Sequence, residues 1–342
     1  MKARLFVLLV GATLVATSVN AQGIDTQRCP PGTANGLGVP DQTRASQDAC
    51  QKAIDLFQYM APQLGTMIAG GNPTLGQGST LGGLGHFSAG VRVNVLQGSL
   101  PQVQNVTPAV TGATSTQFVT KDQYLPMPTA DLAIGVFKGI PLPLTNVGGV
   151  DLLVSASYVP EFNNSGVSVK VPNGSLKLGY GARVGILQES LLVPGVSVTY
   201  LKRDLPTANI TGTVNSDSLY INDLSLKTTA WRAVVSKSIL IFGVAIGAGK
   251  DKYESSADIR AHIAARTVPP ISAFNAAVAK PITQDLTRTN IFADLTMNLL
   301  LFKLNAEIGQ VSGGTINTFN TFSGKQADDS RIYGAVGARF GF

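Results

Sequence analysis

From His86 onward, apolar and polar residues alternate along the chain. Phe87, Ala89, Val91, Val93 and Val95 interleave with Ser88, Gly90, Arg92 and Asn94. A period of two is the mark of a β-strand whose two faces meet different surroundings. The same alternation returns at Leu176–Ile186, Ile291–Leu299 and Ile332–Phe342. Ten such segments can be drawn, at 84–100, 127–138, 149–160, 173–190, 194–206, 219–237, 239–254, 285–300, 302–313 and 330–342. The sixth changes phase between Leu226 and Trp231, which predicts a bulge near Thr228-Thr229.

The connections sort by length. Those at 191–193, 238 and 301 are very short and that at 139–148 is modest, whereas 101–126, 161–172, 207–218, 255–284 and 314–329 are long. Short and long links alternate, as in outer-membrane barrels with short periplasmic turns and long external loops. The expected fold is therefore all-β: an antiparallel transmembrane β-barrel of about ten strands, roughly 8–14 at the limits, with both termini on the periplasmic side.

The first part of the chain reads differently. Lys2 and Arg4, the apolar stretch Leu5–Ala16, and Val19 and Ala21 have the form of a secretory leader over 1–21. Residues 22–83 are then an N-terminal periplasmic or plug segment, and 84–342 the barrel. Within that segment Ala49, Ala53, Leu56, Phe57 and Met60 form one stripe at helical spacing. This predicts a helix over 43–61, ended by Pro62. Residues 65–85 hold many glycines and should be irregular.

Composition agrees with a membrane barrel. The 342 residues are 44% hydrophobic and only 13% charged, against about 25% charged in soluble domains. Mean hydropathy is +0.20. Yet the longest apolar run after the leader, Ile239–Ala248, is ten residues, half of the ~20 a spanning helix needs. Disorder and a helical membrane bundle are both excluded. The net charge of +6 becomes +4 once Lys2 and Arg4 leave with the leader, and no basic run points to nucleic acid.

Only Cys29 and Cys50 carry thiols. In an exported chain they are expected to form one disulfide, contributing about 3 kcal/mol by loop closure. A metal site is the alternative, but it needs further ligands, and neither His86 nor His262 is near in sequence. No phosphate loop, metal-ligand cluster or dinucleotide fingerprint is present, so no cofactor and no metal are expected.

These residues together resemble bacterial outer-membrane β-barrel proteins. The closing Gly337-Ala338-Arg339-Phe340-Gly341-Phe342 is similar to the terminal signal of that class, and implies that Phe340 and Phe342 are read by the barrel-assembly machinery. A narrower resemblance covers about thirty residues. Asn72-Pro73-Thr74-Leu75-Gly76 before the first strand is similar to the N-terminal hatch of outer-membrane transporters for long-chain fatty acids and other hydrophobic compounds. It implies a hatch and nothing about ligand residues.

Function would sit inside the barrel. The alternation turns Arg92, Asp131, Asp151, Lys177, Arg183, Lys227, Arg232, Arg288, Asp294, Glu307 and Arg339 into the lumen, with Arg203, Asp251 and Lys303. Such a lining either concentrates anions or pairs across a closed lumen. Gly243, Ala245, Gly247 and Gly249 leave one inward face smooth. The helix 43–61 could fill it, or the glycines could serve a bend. An enzyme is not expected: His86 and His262 lack a local motif for general-base chemistry. The expected role is passive, porin-like passage of a small hydrophobic or anionic solute across the outer membrane, with outer-membrane lipid around the wall. A structural or surface-recognition barrel is the alternative, and a hydrolase the third reading.

Overall fold

A computed structural model describes residues 23–29, 42–103, 107–164, 167–214, 216–267, 270–271, 273–278 and 280–341. The leader and Phe342 lie outside the described residues. The barrel strands are β1 (Phe87–Pro101), β2 (Thr120–Phe137), β3 (Gly149–Tyr158), β4 (Leu176–Leu187), β5 (Gly195–Asp204), β6 (Asp217–Ile239), β7 (Phe242–Ile263), β8 (Ile282–Leu299), β9 (Phe302–Ser312) and β10 (Arg331–Gly341). Each pairs antiparallel with the next, and β10 pairs back onto β1. Ten strands therefore close into a ring, which leaves no unpaired edge among them.

The two faces of the ring differ as the alternation demands. Val91, Leu152, Val184, Ile246, Ile291 and Ile308 point out and are exposed. Arg92, Asp151, Arg183, Asp294 and Glu307 point in and are buried. The apolar band has an aromatic rim at each end. Tyr124, Tyr158, Tyr180 and Trp231 stand towards the long loops, while Phe137, Phe242 and Phe302 stand by the short turns. An apolar belt between aromatic girdles on a closed ring is the surface a bilayer requires. The protein is an integral outer-membrane β-barrel.

The strands are longer than a bilayer needs. β6 has 23 residues and β7 has 22, where about 9–11 would cross. Their upper parts pair with Ala208–Val214 and Phe274–Ala277, and Val167–Lys170 adds to the former. A sheet thus rises beyond the ring on the long-loop side. β2 begins at Thr120, seven residues before the expected 127, because its polar first turn of strand also lies above the band.

Two local expectations are corrected. The register shift in β6 falls between Asn222 and Ser225, around Asp223 at φ 51°, and not at Thr228-Thr229. The even-numbered residues from Leu224 on therefore point inward, and Lys227 is exposed on the outer face. The helix α1 spans Gln42–Ala69 and contains Pro62 instead of stopping there. Proline has no N–H for the carbonyl four residues back, that of Gln58. Gln284 Nε2 of β8 donates to this carbonyl at 3.3 Å, so the wall supplies what the helix lacks.

Candidate functional site

The lumen is filled by the chain's own N-terminal segment. α1 touches β1, β2, β5, β6, β7, β8 and β10, so it lies inside the ring rather than beneath it. Its first half meets the upper sheet. Cys50, Ala53, Ile54 and Phe57 pack with Leu224, Ala257, Ile259 and Ile282. Cys29 is joined to Cys50 at a Cα separation of 5.7 Å, and residues 23–29 sit at this long-loop end. The chain then descends. Gly65 passes so close to β7 that a Cβ there would lie 2.6 Å from the Tyr253 ring.

The long loops close over the top of the helix. Asp48 accepts from the backbone N–H of Ala109 at 2.7 Å and of Thr114 at 2.9 Å. Asp55 accepts from Asn320 N at 2.7 Å and from Asn320 Nδ2 at 2.6 Å. Burial pushes the Asp55 carboxyl up to about 6, against the opposing pull of these Asn320 bonds. The Tyr59 ring stacks on Phe322 at 3.9 Å between centroids.

At mid-depth α1 ends among arginines from the wall. Arg203 Nη1 donates to the carbonyls of Ala69 and Gly71 at 3.1 and 2.9 Å. Arg232 Nη2 donates to Ala69 O at 2.5 Å, and Arg92 Nη1 to Gly70 O at 2.8 Å. The last carbonyls of a helix have no partner of their own and carry the negative end of its dipole. Three guanidinium groups satisfy both needs here.

Below this collar, residues 70–83 run to the short-turn end under similar control. Glu307 Oε1 accepts from Gly71 N at 3.1 Å. Arg183 Nη1 donates to Thr74 Oγ1 at 2.6 Å and to Gln77 O at 3.1 Å. Asp151 accepts from Leu81 N at 3.1 Å. The residues of the Asn72–Gly76 motif thus lie in the lumen, with Asn72, Thr74 and Leu75 buried.

Wall charges also pair with one another. Arg92 Nε meets Asp131 at 2.5 Å, Arg183 meets Asp151 at 2.5 Å, and Arg232 meets Asp251 at 3.8 Å. Asp294 and Glu307 are register partners on β8 and β9. Of the lumen residues expected from sequence, Arg92, Asp131, Asp151, Arg183, Arg232, Arg288, Asp294, Glu307 and Arg339 are buried within the ring. Lys177 keeps inward parity at the upper end of β4 but is exposed there. Lys227 is on the outer face. Arg331, which the sequence reading passed over, is buried beside Tyr59, with Nη2 3.3 Å from its hydroxyl. Its place at the inward parity of β10 was the available signal.

The smooth face of β7 is not taken by the helix. A Cβ on Gly247 would collide with the Phe292 ring, and one on Gly249 would collide with the Trp231 carbonyl oxygen and crowd Arg232 and Asn290. Arg232 in turn lies over Phe292, 5.4 Å from its centroid. Neighbouring wall side chains fill the space the glycines leave.

Among the described residues no group of three or more His, Cys, Asp or Glu could hold a metal ion. His262 Nδ1 lies 2.8 Å from Asn275 Oδ1 in the upper sheet, and His86 stands exposed in the turn before β1. Phe340 packs its ring against Phe302 at 5.7 Å and Phe87 at 6.2 Å, at the short-turn rim.

No family model matches the chain, and no curated protein matches it. Three solved outer-membrane structures give a measure of its likeness. The transport unit of the autotransporter AIDA-I from Escherichia coli is 9% identical with a TM-score of 0.36, covering 85% of this chain and 98% of that one. The toluene transporter TodX of Pseudomonas putida is 8% identical with a TM-score of 0.27, covering 75% and 88%. Ail, the attachment invasion locus protein of Yersinia pestis, is 10% identical with a TM-score of 0.23, covering 76% and 99%. No residue role and no solute passes from them to this chain. The barrel assignment stands on its own closed ring and apolar belt.

Proposed function

We propose that this barrel is a restricted channel for small anionic solutes, gated by its N-terminal plug. One observation carries the reading: buried cationic side chains line the lumen with donors that meet no protein acceptor. Among the described residues, Arg288, Arg331 and Arg339 each leave Nε and Nη1 without a partner. Arg331 and Arg288 stand towards the long loops and Arg339 towards the short turns, so the free donors extend along one side of the lumen. Guanidinium groups with spare N–H donors bind carboxylate or phosphate well. On the described lumen wall seven buried arginines (Arg92, Arg183, Arg203, Arg232, Arg288, Arg331 and Arg339) face five buried acids (Asp131, Asp151, Asp251, Asp294 and Glu307), an excess of positive charge that raises the local anion concentration.

The seated plug leaves little room. The cavity between Asn72, Pro73, Arg92, Asp131 and Arg339 measures about 10 Å³, the space of one water. Passage therefore requires residues 70–83 to shift. Their contacts with Arg183, Asp151 and Glu307 are hydrogen bonds, which water can replace.

A cross-link tests this. A Cβ on Gly185 would lie 2.9 Å from Thr80 Cγ2, within reach of a disulfide. In planar bilayers the Thr80→Cys/Gly185→Cys protein should conduct less when oxidised than when reduced, a change the parent, which carries only the Cys29–Cys50 bond, should not show. The reduced form should prefer chloride to potassium. Equal conductance in both redox forms, or cation preference, would overturn the reading. The sheet raised by β6 and β7 favours a second reading, a surface-recognition barrel without an open channel; absence of conductance in every form would support it.

A further inference from the structure

We propose that the outer face of β5, β6 and β7 carries a binding site for the phosphate groups of outer-leaflet lipid, built from Lys202, Lys227, Lys250 and Lys252. The strand register brings the four together. Lys202 is opposite Thr229, and Thr229 is opposite Lys252. Lys250 is opposite Trp231, and Lys227 is opposite both Asp204 and Glu254. All four share the outward parity of Trp231, which is 55% exposed. Lys227, Lys250 and Lys252 are exposed and Lys202 is partly so. Lys252 binds Glu254. Asp204, Glu254 and Asp285 share the row of Lys227, one step further from the membrane than Lys202 and Lys252, which leaves Lys250 and Lys202 nearest the apolar band.

The height of the patch is fixed by the other end of the barrel. Each short turn carries exposed apolar side chains: Leu142 and Leu144, Leu191 and Leu192, Leu240 and Ile241, and Leu300 and Leu301. Leu300 is fully exposed and Leu240 is 94% exposed. Paired large apolar side chains this exposed, repeated at all four short turns, are favoured where lipid covers them, so the turns mark the inner edge of the belt. From Ile241 to Lys250 the chain rises about 3.4 Å per residue at a tilt of roughly 40°. The vertical span is thus about 23 Å, close to the ~25 Å of a barrel's apolar band. Lys250 and its neighbours accordingly stand at the level of the outer headgroups.

The chemistry fits a phosphorylated lipid rather than a soluble anion. The lysines offer compact positive charges for phosphate. Directly below them, Ala233, Ala248 and Ile246 continue the apolar band, where acyl chains of the same molecule would lie. Trp231 and Tyr200, with ring centroids 4.8 Å apart, occupy the border where aromatic rings favour the interface. Charge and apolar surface are thus stacked in the order found in such a lipid.

The test uses the full-length barrel in a neutral detergent. The probe is a bisphosphorylated, acylated glucosamine disaccharide, with its dephosphorylated form and inorganic phosphate as comparators. Bound lipid is counted by native mass spectrometry. The K202Q/K227Q/K250Q/K252Q variant should bind the probe at least ~100-fold more weakly, at about fivefold per lysine, while K121Q/K138Q should match the parent. Binding to the parent should weaken as salt is raised. Because the four side chains lie outside the ring, the variant's β-sheet circular dichroism should be unchanged; a variant that unfolds is replaced by the K250Q and K202Q single changes. Undiminished binding by the variant, equal binding of the dephosphorylated lipid, or displacement by millimolar inorganic phosphate would each overturn the proposal.

Discussion

Arg203 of β5 reaches across the lumen to the Gly71 carbonyl at 2.9 Å, and so ties the wall to the end of the plug helix. The same Nη1 lies within hydrogen-bond distance of the carbonyls of Ile68, Ala69 and Gly70. Replacing Arg203 with Met removes these donors but keeps most of the volume. The expected cost is about 1–3 kcal/mol, since buried carbonyls lose a partner while Arg92 and Arg232 still serve two of them. A cysteine placed at Ala69, which already carries a Cβ in the collar, should react with a soluble maleimide faster in this background than in the parent. An unchanged rate would show that Arg203 does not hold the plug.

The Pro62–Gln284 relationship predicts a non-additive pair. Gln284→Leu leaves the Gln58 carbonyl without its wall donor and should destabilise by about 1–3 kcal/mol. Pro62→Ala restores the missing N–H and lets the helix bond itself. In the double variant the Gln284→Leu penalty should shrink by ~1 kcal/mol or more, as coupled sites do. Thermal unfolding of the four proteins in one detergent checks this. Additive shifts would mean that the Gln284 bond is incidental.

Asp55 predicts a pH dependence for the contact between the plug and the loop 313–330. Its carboxyl is raised by burial from 3.8 to about 6. The folded state therefore holds the proton more tightly than the unfolded state. The stability linked to that proton is fully present below about pH 4 and is lost as pH rises through about 6. An Asp55→Asn variant cannot titrate and should lack this component. The difference in melting temperature between the two proteins should change across that window. A constant difference would place Asp55 outside the linkage.

Gly247 and Phe292 predict a steric pair. Gly247→Ala puts a methyl group into the Phe292 ring and should cost about 1–3 kcal/mol. Phe292→Leu in the same chain should recover part of that loss, because the smaller side chain frees the space. The cycle can be followed by the temperature at which the barrel's compact gel mobility is lost. No recovery would mean that the strand pairing itself, and not the ring, resists the methyl group.

The sequence alone determined the ring. Alternation is a local property, imposed on each strand by lipid on one side and a polar lumen on the other. All ten strands, their order and the inward parity of Arg92, Arg183, Asp294 and Glu307 were therefore legible one strand at a time. The disulfide followed from two cysteines in an exported chain. Tertiary structure decided the rest. The helix runs through Pro62 because Gln284, more than two hundred residues away, replaces the lost backbone donor. Lys227 faces outward because one irregular residue, Asp223, moves the phase of β6; alternation shows that a shift occurs but not at which residue. The smooth face of β7 accepts Phe292 from β8 instead of the helix. The arginines were visible as inward charges, yet their work as a collar on residues 68–71 depends on where the plug ends inside the ring. That depth is set by packing and hydrogen bonds between distant segments, which no local pattern encodes.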